Sequence, residues 1–130
     1  MSPLTAGAKQ AHDDVLDAAL EYMESNGDEI NVCSAQPTSY AEAHTTYMLA
    51  QHALTTADSV VANGDSSGRK ITWSQQADIT ITNSGTATHV AICDTGNSKL
   101  LLVTTCTSQA LTSGNTVTIP TFDDEIADPS

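Results

Sequence analysis

Apolar positions repeat with two different periods along this chain, and the period changes near residue 63. Over residues 6–25, Val15, Leu16, Ala19, Leu20 and Met23 recur every three or four positions, which predicts an amphipathic α-helix. Asp13, Asp14, Asp17, Glu21 and Glu24 fill its other face, and Asn26-Gly27 supplies the residue pair of a left-handed helix stop. Residues 29–34 then alternate polar and apolar, as a short strand does, until Pro37 breaks the pattern. Ser39-Tyr40-Ala41-Glu42 fits a capping box and predicts a short second helix over residues 40–45. The stretch 47–61 carries both signals. Ala50, Leu54 and Ala57 continue a helical spacing, whereas Thr45, Thr46, Thr55, Thr56 and Val60-Val61 favour extended chain. The reading here is a short helix passing into strand.

Beyond residue 63 the period falls to two. Residues 69–122 hold thirteen threonines, five isoleucines and three valines between glycine-containing turns, the composition of a β-sheet. Strands are expected at residues 69–73, 78–82, 86–93, 99–105 and 116–119, with a final short strand fraying into the tail at 123–130. The run 99–105 is continuously apolar before its threonines, as for a central strand covered on both faces. Pro120 ends its strand or places it at an edge. The fold class expected is α+β: an N-terminal helix and a short second helix packed on an antiparallel β-sandwich or partly open barrel. The 130 residues suit a single domain, with residues 1–62 mainly helical, 63–126 β-rich and 127–130 a tail.

Composition narrows the function more than any motif does. The net charge is −12, with only Lys9, Arg69, Lys70 and Lys99 opposing sixteen acids. Such a surface repels phosphate backbones and anionic membranes, so neither nucleic acid nor membrane is expected as a partner. It suits high solubility, a salty environment or docking on a basic partner. The aromatics are Trp73, Phe122, Tyr22, Tyr40 and Tyr47, so the core must be mostly aliphatic. No run approaches the roughly 20 apolar residues of a membrane span, and residues 1–9 lack the basic-then-apolar pattern of a secretion signal.

The chemistry-bearing residues do not form a catalytic pattern. Cys33, Cys93 and Cys106 are odd in number and make no CxxC pair, which predicts free thiols in a reducing compartment. His44 and His52 are too far apart for a zinc helix, and His12 has no metal-ligand spacing. His89 lies beside Val90-Ala91-Ile92, where a hydrogen-bonded structural histidine is expected. Its spacing from Cys93 along one strand is too long for a nucleophile pair. Residues 64–70 look superficially like a phosphate loop but lack the GxxxxGK[ST] spacing, because Ile71 follows Lys70. Asp123-Asp124-Glu125 would alternate faces on a strand and form no calcium loop. Gly68-Arg69-Lys70 reads as an internal partner for nearby carboxylates, or else as a subunit contact. No catalytic residue, cofactor or metal set is implied.

Several phrases together carry a resemblance. They are residues 61–72 (VANGDSSGRKIT), residues 84–94 (SGTATHVAICD), residues 100–107, residues 113–120 (SGNTVTIP) and the ending at 122–126. In these the chain resembles small virion structural proteins of tailed bacteriophages, over most of its length and most strongly over residues 61–126. That resemblance implies a non-enzymatic virion part made in the bacterial host cytoplasm. Three roles are compatible: a capsid decoration or cement protein stabilising the head, a tail or head–tail connector component, or a host- or glycan-binding head-fibre module. It implies the major capsid protein or other virion proteins as partners and a homo-oligomer in the particle, and it supplies no catalytic residues.

Overall fold

A computed structural model describes residues 12–65 and 67–126. The protein is α+β, with one main helix and antiparallel sheets packed together. The chain order is helix α1 (Asp13–Asn26), strand β1 (Glu29–Cys33), a five-residue π-helical turn (Glu42–Thr46), β2 (Met48–Ala53), a 3-10 turn (Thr56–Asp58), β3 (Ser59–Asn63), β4 (Arg69–Trp73), β5 (Gln76–Thr80), β6 (Gly85–Asp94), β7 (Lys99–Leu111), β8 (Thr116–Ile119) and β9 (Phe122–Ile126). A four-stranded sheet runs β2-β1-β6-β7, a three-stranded sheet β3-β4-β9, and β5 pairs with β8. One buried cluster joins them, from Leu20 of α1 through Ile30, Ile71, Trp73 and Ile92 to Ile119.

The helix begins at Asp13, capped by the His12 ring, whose Nδ1 accepts from the Asp14 N–H at 3.0 Å. Residues 6–11 of the expected helix lie outside the described residues. Leu16 and Leu20 are buried, but Val15 is 65% exposed and Ala19 is also exposed, so the buried stripe is narrower than the sequence suggests. Gly27 ends the helix with φ −75° and ψ 95°, not in the left-handed region. A Cβ there would fall 2.6 Å from Met23 O, 2.9 Å from Ile92 Cγ2 and 3.1 Å from Trp73 Cη2. Glycine is therefore required by close packing rather than by a left-handed turn.

Three further expectations are corrected. Beside α1 and two short helical turns, residues 12–62 contain β1, β2 and most of β3. Residues 48–53 form strand β2, which pairs with β1 from Glu29↔Ala53 to Cys33↔Met48, because pairing with a central strand outweighs local helical spacing. The second helix shrinks to the π-helical turn, closed by Tyr47 N–H donating to Glu42 O at 2.8 Å. Ser39 Oγ does accept from the Glu42 N–H at 3.2 Å. The Glu42 carboxylate, however, reaches past Ser39 to the N–H and hydroxyl of Thr38, at 2.8 and 2.7 Å. Finally, β7 is not central. It is the outer strand of the four-stranded sheet, and residues 100–104 are only half-buried. The strand covered on both faces is β1: Ile30 and Val32 pack into the main core, while Cys33 packs under Ala43 of the π-helical turn.

Candidate functional site

Alternation along β1 puts Glu29, Asn31 and Cys33 on the face away from the main core, where the π-helical turn covers them. Asn31, Cys33, Ala43 and Cys93 are fully buried there. Buried polar groups need partners, and these form a connected set. His44 Nδ1 lies 2.6 Å from Glu29 Oε1. The same oxygen accepts from Asn31 Nδ2 at 3.0 Å. Gln51 Nε2 donates to Asn31 Oδ1 at 2.9 Å and to the His44 carbonyl at 3.2 Å. Asn31 Nδ2 also reaches Cys93 Sγ at 3.5 Å, and Cys33 Sγ donates to Ala43 O at 3.7 Å. The Tyr40 ring stacks on the His44 ring at 4.9 Å.

A carboxylate, an imidazole and a thiol in one cluster invite a nucleophile reading. The thiol chemistry opposes it. Burial pushes both Cys33 and Cys93 up to about 12, so near neutral pH both stay protonated and unreactive. The cluster instead ties the turn to the sheet through β1, β2 and the turn itself. Sequence reasoning did not assemble it, because Glu29 and His44 come from separate elements. Its one local signal is a polar side chain at alternate positions of a strand whose other neighbours are apolar.

Among the described residues, the Lys and Arg side chains have gone to internal partners. Arg69 Nε donates to Asp17 Oδ1 at 2.6 Å, with both side chains 18% exposed, and its Nη1 donates to Asn63 Oδ1. Lys70 binds Asp65 at 2.8 Å and Asp123 at 3.3 Å. Lys99 donates to Tyr22 Oη at 3.1 Å and sits over that ring. Residues 64–70 therefore offer no unengaged cation to a phosphate. Asp123, Asp124 and Glu125 do alternate faces: Asp123 points out to Lys70 and Thr72, while half-buried Asp124 lies opposite core residue Ile71. Burial raises the Asp124 carboxyl above its ordinary value. His89 Nδ1 is held by Thr88 Oγ1 at 2.8 Å, and His52 is exposed on β2. Among the described residues, no three His, Cys, Asp or Glu side chains converge as a metal set, and no helix is long and apolar enough to cross a membrane.

One groove opens between β7 and the β8–β9 segment. It encloses about 460 Å³ and is floored by Val32, Ala87 and Val90. Thr104, Cys106 and Gln109 form one wall, and Val117, Ile119 and Phe122 the other. It contains no charged side chain. The charge-free character extends along the chain, since residues 100–122 include no Asp, Glu, Lys, Arg or His. No family model, no curated protein and no solved structure matches this chain.

Proposed function

We propose that this protein is a non-enzymatic structural component of a tailed-phage virion, made in the bacterial host cytoplasm and acting as a capsid decoration or cement protein on the major capsid protein. The observation that carries this reading is the division of charge. Arg69, Lys70 and Lys99 are consumed by partners within the chain, so a −12 body presents acid outward. An outward acidic field suits long-range attraction to a basic lattice and keeps a subunit soluble until its site exists. The thiols are protonated by burial and the Glu29–His44 pair is spent on holding a turn, so the polar cluster supports a scaffold better than a reaction centre. The sequence resemblance to tailed-phage virion proteins points the same way. A second reading, a host- or glycan-binding head-fibre module, draws its support from the groove, where Phe122 and several hydroxyl and amide side chains meet.

The test compares particles with and without this protein. Under the decoration reading, deletion particles assemble but release DNA at a lower temperature, because binding only the assembled state stabilises that state. Added salt should narrow the difference, since acid-to-base contacts are screened beyond about 8–10 Å. Equal release temperatures refute the decoration reading. Intact but tailless heads would move the assignment to the tail or connector, and stable particles that fail to adsorb would move it to the head fibre.

A further inference from the structure

Every open sheet edge exposes unpaired N–H and C=O groups, and folded proteins normally cover or blunt them. The edges here are managed in different ways. The β2 edge is covered by the segment after β5: Thr82 and Asn83 N–H donate to Leu49 O at 2.8 and 3.0 Å, and Asn83 Nδ2 donates to Met48 O at 2.9 Å. β3 is five residues long and packs beside α1. β9 carries Asp123, Asp124 and Glu125, with Asp124 facing the core, which is a known device against edge pairing. β8 has four residues and stops at Pro120. β7 shows none of these. It is thirteen residues long and contains no proline, glycine or acid. Its single charge, Lys99, sits at its end and is drawn to Tyr22. Among the described residues no strand lies beyond it.

We infer that β7 is the seam of a homodimer, in which two copies pair their β7 strands antiparallel about a two-fold axis. Two four-stranded sheets, four plus four, then become one continuous sheet of eight. Charge selects a second copy as the occupant. A basic partner is drawn to the acidic faces and gains nothing from a neutral strip. Two copies, each at −12, meet most easily where neither carries charge, and from Leu100 to its end β7 has no charged residue. The side chains also suit it. Leu100 and Val103 lie half-buried on one face, against the cluster of Cys33, Ala43, Ala91 and Cys93, and Leu101, Leu102 and Cys106 lie half-buried against the main core. Antiparallel pairing brings such residues into direct cross-strand contact. At about 3.4 Å per residue the strand is roughly 44 Å long, which gives a seam at the small end of specific interfaces. This inference stands on the chain's own edges and not on the virion reading. It is measured on free protein, so its failure is distinct from failure in the particle.

The experiment is sedimentation equilibrium of the full chain, diluted from about 100 µM to about 1 µM, a range that brackets micromolar affinities. The expected species is a dimer, at twice 13.6 kDa. Raising salt should tighten it several-fold, because screening relieves repulsion between two acidic bodies. Thr105 and Thr107 are exposed in the single copy, so Thr105→Lys with Thr107→Lys should fold normally and weaken the dimer at least tenfold. A second readout needs no variant. Amide-exchange protection over residues 100–107 of the wild type should fall on dilution while β6 stays protected. A 13.6 kDa monomer at every concentration overturns the inference. So does a trimer, a dimer loosened by salt, a dimer indifferent to the two lysines, or β7 protection that ignores dilution.

Discussion

Replacing Gly27 with alanine tests whether the end of α1 is governed by packing or by backbone conformation. At most positions with ordinary φ and ψ, glycine to alanine stabilises by about 0.4–1 kcal/mol, because the unfolded chain loses freedom. Gly27 has ordinary angles, φ −75° and ψ 95°, so backbone conformation alone predicts that gain. Space predicts the opposite. The new methyl would lie 2.6 Å from Met23 O, a backbone atom held by its 2.7 Å hydrogen bond from the Gly27 N–H. It would also lie 2.9 Å from Ile92 Cγ2 and 3.1 Å from Trp73 Cη2. Ile92 and Trp73 are each 1% exposed and packed in the core, so neither yields easily. Overpacking of this kind costs about 1–3 kcal/mol. Set against the entropic gain, the net expectation is a loss of roughly 1–2 kcal/mol. In a chain of this length that corresponds to a fall in Tm of about 4–10 °C. Urea unfolding followed by far-UV circular dichroism measures it as a lower midpoint at constant slope. Gly27→Asn separates the two explanations further. In a left-handed cap asparagine is tolerated better than alanine, whereas here its larger side chain should cost at least as much. An alanine variant that gains stability, or an asparagine variant that outperforms alanine, refutes the close-packing argument.

Two aspartates should respond to pH with opposite signs. Burial raises Asp124 in the fold, so the folded state holds that proton more tightly than the unfolded chain does. Its ionisation therefore opposes folding once pH rises through the folded value. Asp124→Asn should raise the urea midpoint near pH 7, with the gain shrinking toward the ordinary carboxyl pKa of about 4. Asp58 is lowered, first by the Thr55 backbone N–H and then by Gln76 and Ser74, so its stabilisation is present near neutrality and fades as acid protonates it. Asp58→Asn should therefore cost stability at pH 7, on the scale of about 1 kcal/mol for a lost cap, and less in acid; the reverse pattern in either variant contradicts the assignment. For the thiols, alkylation of denatured, unreduced protein should add three labels at Cys33, Cys93 and Cys106. In the folded state Cys33 and Cys93 should label far more slowly than Cys106, because both are buried with pKa values near 12. A single label after denaturation would reveal a disulfide.

The sequence by itself determined the fold class and most of the strands. Alternation and turn residues after residue 63 act locally, so β4, β6 and β8 fall close to where their patterns place them. It also favoured carboxylate partners within the chain for Arg69 and Lys70 over a subunit contact, and the structure places them on Asp17, Asp65 and Asp123. Tertiary structure decided what local pattern leaves open. Residues 48–53 are a strand because β1 is there to pair with them. Leu16 and Leu20 are buried and Val15 is not, because docking selects one narrow line of a broader stripe. Glu29 and His44 meet because a turn folds over a sheet face. The apolar run in β7 looked like the inside of a sheet, since hydrophobicity reports only that a strand is to be covered. Whether its own chain or another supplies the cover is set by strand order, which among the described residues ends at β7.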